Sequence, residues 1–98
     1  MLKPLTFVIS AENHPDLLAR TVLLFHRLAV PIHGLIMQRP EEAPHMRITV
    51  HVLAEPDQSD RIAAQLAKLV HVVWVETRRA RRQSRLRHLR YAVARLFA

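Results

Sequence analysis

The segment from Met46 to Val52 constrains the fold of this chain more than any other part of the sequence. Apolar and polar residues alternate strictly along it: Met46, Ile48, Val50 and Val52 alternate with Arg47, Thr49 and His51. Successive side chains of a β-strand point to opposite faces of the sheet, so such a strand has one buried face and one wet face. The pattern therefore predicts an antiparallel sheet that other elements cover on one side only.

Five further segments have the patterns of regular elements. Residues 5–11, Ile32–Gln38 and residues 71–75 are short and apolar like strands, whereas residues 17–28 and 62–69 have the apolar spacing of amphipathic helices. The resulting order, β-α-β-β-α-β, is that of the ferredoxin-like fold. Because right-handed crossovers place both helices on the same side, we expect an α+β domain with a four-stranded antiparallel sheet and two helices on one face.

Charge divides the chain into a domain, residues 1–76, and an extension, residues 77–98. The whole chain of 98 residues has a formal net charge of +7. Residues 1–76 hold seven basic and eight acidic side chains, whereas residues 77–98 hold eight arginines and no acid. Any electrostatic attraction to a partner therefore belongs to the extension.

The extension combines its arginines with an apolar stripe at helical spacing, which predicts an amphipathic, basic C-terminal helix. A segment that only bound phosphate groups would not need the stripe, so docking on an acidic protein surface, or back on a dimer of this chain, explains both faces of the helix. Disorder, nucleic-acid binding and binding to anionic lipid are the alternatives. The residues predicted to dock are Arg85, Leu86, Leu89, Arg90, Val93, Leu96 and Phe97.

The composition excludes several classes of function. A single glycine leaves no room for a glycine-rich phosphate loop, and the absence of cysteine excludes disulfides, thiol nucleophiles and cysteine zinc sites. The seven histidines form no HxH or HxxxH pair, so we predict no metal site. Ser10 and Ser59 have no evident His–Asp arrangement, and Glu41 and Glu42 lie in a predicted surface turn. We therefore predict no catalytic residues and no bound cofactor.

The sequence also bears on cellular location. Met1 to Pro4 lead directly into a strand-like segment without the basic-then-apolar layout of a signal peptide. No apolar run approaches the roughly 20 residues that span a bilayer, and the absence of cysteine fits a reducing compartment. These features predict a cytoplasmic protein.

Four short stretches resemble a known family. They are Ile9-Ser10-Ala11, Pro15-Asp16, Leu18-x-Arg20 and Gln65-Leu66-x-Lys68-Leu69-Val70-x-Val72. Together they resemble the ACT-domain small subunits of acetolactate synthase (acetohydroxyacid synthase), in particular the short ones with a single ACT domain. The resemblance covers residues 5–76, and the arginine-rich extension lies outside it.

The resemblance implies a non-catalytic regulatory subunit in branched-chain amino acid biosynthesis. In that family two ACT domains pair as a homodimer and activate a catalytic large subunit, which carries thiamine diphosphate, a divalent metal and flavin. The implied effector, a branched-chain amino acid, sits at the dimer interface, where N–H groups at a helix N-terminus bind its carboxylate. The matching positions are Glu12, Asn13, His14, Pro15, Asp16 and Leu17, with Pro31 and Ile32 across the interface.

This sequence departs from the family at two of those positions. Asp16 stands where valine-sensitive members have glycine, and Pro31 stands where they have asparagine. A resident carboxylate beside that of the ligand costs on the order of 1–4 kcal/mol, and proline supplies no side-chain hydrogen bond. We therefore expect weak effector binding or none.

Two other functions occur with this fold. A free-standing ACT module would sense an amino acid, or dock on another protein, without any synthase partner. An RNA-recognition motif shares the topology, but it needs aromatic side chains on its third strand, where this sequence has Arg47, Thr49 and His51. In either ACT function, the unpaired edge of strand two and the second apolar stripe of helix one predict a homodimer.

Overall fold

A computed structural model of the chain describes residues 1–41, 43–79 and 88–90. It contains five strands and two α-helices in these ranges, with a 3₁₀ turn at Pro56–Gln58 just before the second helix. In chain order, the elements are β1 (Lys3–Ala11), α1 (Leu17–Arg27), β2 (Ile32–Gln38), β3 (Met46–Ala54), α2 (Ser59–Ala67), β4 (Val72–Arg79) and β5 (His88–Arg90).

The strands form one antiparallel sheet in the order β2-β3-β1-β4-β5. Strand β1 lies in the middle, between β3 and β4, and β2 forms one edge of the sheet. The first four strands and the two helices therefore have the predicted ferredoxin-like arrangement. Neither helix in the described ranges is long and apolar enough to cross a lipid bilayer.

The hydrophobic core lies between the helices and one face of the sheet. On β1, Leu5, Phe7 and Ile9 are buried, and they pair in register with Val52, Val50 and Ile48 of β3, which are buried as well. The alternation that predicted a half-buried β3 is thus confirmed. From the helices, the core receives Leu17, Leu24, Phe25, Ile62 and Leu66.

Both helices begin close to a proline, Pro15 before α1 and Pro56 before α2, as is common at helix starts. Before α2, Glu55 and Gln58 form a reciprocal capping box around the 3₁₀ turn, which satisfies two backbone N–H groups that a helix start leaves without partners. Helix α1 ends at Arg27, and the chain then reverses through Ala29, whose φ of 58° is left-handed. This turn directs the chain back into β2.

The C-terminal part of the sheet differs from the expectation. Strand β4 extends through Arg79, so the predicted end of the domain at residue 76 lies inside a strand, where Glu76 and Thr77 are buried. His88–Arg90 forms strand β5 on the outer edge of β4 and is not part of a helix. Pairing satisfies backbone groups that an unpaired β4 edge would expose.

Two residues of the predicted docking set, Leu89 and Arg90, lie in β5. The others are outside the described residues: Arg85, Leu86, Val93, Leu96 and Phe97. The division into domain and extension, and the docking role of the extension, stay predictions.

Candidate functional site

The loop between β1 and α1, residues 12–16, is attached at its start to the turn before β4. The backbone N–H of Glu12 donates to the carbonyl oxygen of His71 at 2.9 Å. The side chains of the same two residues meet as well, with Glu12 Oε1 at 3.2 Å from His71 Nδ1. His71 adopts a left-handed φ of 78°, a conformation that costs a non-glycine residue energy and is held by its surroundings.

A second contact joins the same two segments. The imidazole rings of His14 and His71 stack with their centroids 4.1 Å apart and their planes 17° from parallel. His14 Nδ1 also accepts a hydrogen bond from the backbone N–H of Asp16 at 3.2 Å. A neutral His14 in this geometry carries its ring proton on Nε2. The predicted effector loop is therefore fixed at Glu12, His14 and Asp16.

The N-terminus of α1 carries the carboxylate of Asp16. Asp16 occupies the N-cap position but makes no side-chain capping hydrogen bond. Its carboxylate instead lies 3.7 Å from the guanidinium of Arg20, one turn further along the helix. The positive end of the helix dipole attracts anions, but the Asp16 carboxylate already stands beside it. The predicted obstacle to a ligand carboxylate thus lies at this helix end.

Pro31 and Ile32 lie at the other end of the sheet from this loop. Ile32 pairs with Val52, which in turn pairs with Leu5 near the start of β1. The loop follows Ala11, six residues further along β1, which corresponds to about 20 Å. One chain therefore does not bring the two halves of the predicted site together.

Sequence reasoning missed His71, which is the main support of the loop. It is separated from His14 by 56 intervening residues, and no local motif links the two. The turn just before the last strand of a βαββαβ fold lies at the same end of the sheet as the β1–α1 loop. The predicted topology alone could therefore have placed His71 near the loop. Within the described ranges, no group of three or more His, Asp or Glu side chains is arranged so that it could hold a metal ion.

An apolar surface extends along the β2 edge. Leu18 and Val22 lie one turn apart on α1 and are 38% and 40% exposed. Helix α2 packs against β4, at the far side of the sheet. The side of α1 that faces the end of α2 carries Arg20, Leu23 and Arg27. Leu18 and Val22 therefore lie on the β2 side, near the partly exposed apolar residues Ile32, Leu35 and Met37.

The opposite side of α1 borders a cleft of about 220 Å³. Its lining consists of Arg20, Leu23 and Arg27 from α1 and of Leu69, just after α2. The sequence did not predict this cleft, because Arg20, Leu23 and Arg27 lie outside the apolar stripes of α1.

Comparison with known proteins gives both a fold and a set of relatives. No family model matches the chain. The acetolactate synthase small subunit of Mycobacterium avium is 34% identical over 68 residues, which are 69% of this chain and 41% of that protein. The small subunit of Mycobacterium bovis is also 34% identical over 68 residues, 40% of its length. The chain thus spans less than half of the length of these curated relatives.

Solved structures share the fold at low sequence identity. The ACT domain of GTP pyrophosphokinase from Chlorobium tepidum superposes with a TM-score of 0.66 at 12% identity, over 79% of this chain and 99% of that domain. The uncharacterized protein TM1266 from Thermotoga maritima gives 0.64 at 15% identity, over 83% of this chain and all of that one. The chain therefore has the ferredoxin-like fold of ACT domains. Its sequence relates it to acetolactate synthase small subunits.

Proposed function

We propose that the chain is a non-catalytic regulatory and activating small subunit of acetolactate synthase, with the catalytic large subunit as its partner. The observation that carries this proposal is the 34% identity over 68 residues to curated small subunits. The ACT-type fold supports it.

Co-expression with the acetolactate synthase large subunit of the same genome tests the proposal. We expect the two chains to co-purify and the complex to form acetolactate several-fold faster than the large subunit alone. The ACT domain of Chlorobium tepidum GTP pyrophosphokinase, which shares the fold at 12% identity, is a matched control that should neither bind nor activate. Absence of a complex together with unchanged turnover would refute the subunit role.

A homodimer through β2 and α1 belongs to the same proposal. The β2 edge presents backbone N–H and C=O groups, which a second copy can pair. Two β2 strands related by a two-fold axis run antiparallel, so the start of one lies beside the end of the other. This arrangement brings the partner subunit's Pro31 and Ile32 to the end of the sheet where the β1–α1 loop lies, and it covers Leu18 and Val22.

The effector site in this dimer consists of the loop Glu12, Asn13, His14, Pro15, Asp16 and Leu17 together with the partner subunit's Pro31 and Ile32. The Asp16 carboxylate at the helix end opposes an incoming carboxylate, and Pro31 offers no side-chain hydrogen bond. We therefore propose activation without strong feedback inhibition by a branched-chain amino acid.

A free-standing ACT module that senses an amino acid is the second candidate function. The observation that favours it is that the same fold occurs in an ACT domain of a different protein, GTP pyrophosphokinase. Its test is thermal stability in the presence of each common amino acid without any synthase. A ligand at 100 times its Kd would add about 2.7 kcal/mol to the stability, and an unchanged melting temperature with all of them would argue against sensing.

A further inference from the structure

The cleft between α1 and the end of α2 pairs an apolar floor with two positive charges. Arg20 and Arg27 are seven residues apart on α1, which places them about 10 Å apart along the helix axis. Leu23 lies between them, and Leu69 forms the facing wall. The arrangement is therefore a short apolar groove with a guanidinium at each end.

This groove stays open in the proposed homodimer. At 100° per residue, Leu23 lies about 140° around α1 from Leu18, the centre of the apolar surface at the β2 edge. A second copy that pairs along β2 covers Leu18 and Val22 and leaves the Arg20–Arg27 side free. Leu23, which is 57% exposed, therefore stays accessible to a different partner.

The exposure decides between a small ligand and a protein segment. Small-molecule sites are concave enough to bury 70–90% or more of their ligand, but this groove is open, with Leu23 57% exposed and both arginines exposed. Protein interfaces, by contrast, combine an apolar centre with a charged rim, and arginine is enriched in them. Arg20 has only a loose contact with Asp16, at 3.7 Å between exposed side chains, so it can exchange that carboxylate for another.

We propose that the groove is the docking surface for an acidic segment of the catalytic large subunit. That segment carries two carboxylates about 10 Å apart, one for each arginine, and an apolar side chain between them that packs on Leu23 and Leu69. A helix with acidic residues two turns apart meets this requirement. The inference rests on the proposed function and adds the surface that the partner uses.

Binding of the large subunit to immobilised full-length chain, at low and high salt, tests the groove. Arg27→Glu and Leu23→Glu should each weaken binding at least tenfold, because each places a negative charge against the acidic segment. Arg61→Glu reverses an exposed charge on α2 that does not line the groove, and it should stay within twofold of the wild type. Higher salt should weaken binding of the wild type more than binding of Arg27→Glu, because both chains carry the arginine-rich extension and only the wild type carries the Arg27 charge.

Each outcome separates the two proposals. Wild-type binding that both groove variants retain overturns the groove and leaves the subunit role intact. Wild-type protein that does not bind the large subunit at all refutes the subunit role, and the docking inference fails with it. Melting temperatures close to that of the wild type identify folded variants, and either folded groove variant is sufficient for the test.

Discussion

The rings of His14 and His71 stack 4.1 Å apart, and this contact joins two segments that the topology places side by side at one end of the sheet. His14 lies in the loop before α1, and His71 lies in the turn before β4. Together with the Glu12 contacts to His71, the stack sets the shape of the loop. The shape of the loop therefore depends on residues at both ends of the domain sequence.

Replacement of His14 by alanine should loosen the loop without unfolding the domain. It removes the stack and the acceptor for the Asp16 N–H, so we expect a loss of about 1 kcal/mol in unfolding free energy and faster amide hydrogen exchange across residues 12–16. His33→Ala, an exposed histidine on β2, is the control and should change neither quantity. Unchanged exchange in the loop of His14→Ala would mean that the backbone contacts alone hold it.

Sequence patterns predicted the parts of the fold that local physics determines. The strict alternation predicted β3. The apolar run after Pro31 predicted β2 with its observed bounds, Ile32–Gln38. The stack of His14 on His71 could not be predicted, because it depends on tertiary proximity and on a left-handed residue without a glycine to mark it. Strand β5 was missed because arginine-rich sequence with apolar residues at helical spacing favours a helix, whereas the free edge of β4 favours a strand.

Replacement of Thr77 by valine should stabilise the protein. Thr77 is 1% exposed, and its Oγ1 has no hydrogen-bond partner within the described part of the chain. Valine has nearly the same shape, with a methyl group in place of the buried hydroxyl, which gave up its hydrogen bonds to water on folding. The substitution should therefore raise the free energy of unfolding by about 1 kcal/mol. Urea unfolding measures the change.

The same substitution at Thr6 is the matched comparison. Thr6 Oγ1 lies 2.9 Å from His51 Nδ1, so Thr6→Val breaks a hydrogen bond and should destabilise by about 0.5–1 kcal/mol. Opposite signs at the two positions are expected. Destabilisation by Thr77→Val would show that its hydroxyl has a partner.

Charge on the β2-facing side of α1 should dissociate the homodimer. We expect Leu18→Lys and Val22→Lys to give monomers in sedimentation velocity at micromolar concentration, because each places an ammonium in an apolar interface. Leu23→Lys, on the other side of α1, is the control and should remain dimeric. A wild-type chain that sediments as a monomer at the same concentration would contradict the paired arrangement, and with it the two-chain effector site.

Two substitutions should restore effector binding to the β1–α1 loop. Asp16→Gly removes the carboxylate that opposes the ligand and lets the backbone approach it more closely, whereas Pro31→Asn adds a side-chain donor from the partner subunit. Removing a like charge at close range is worth on the order of 1–4 kcal/mol, which corresponds to about fivefold or more in Kd for valine. The double variant should gain more than either single one, because both groups face the same ligand.

Calorimetric titration of valine, leucine and isoleucine into the wild type, the two single variants and the double variant measures these gains. Asp57→Gly, which removes an equal charge from the exposed 3₁₀ turn before α2, is the control and should bind no better than the wild type. A gain equal to that of Asp16→Gly would indicate a general charge effect. Tight valine binding by the unmodified chain would show that the Asp16 carboxylate, turned toward Arg20, leaves the helix end open to the ligand.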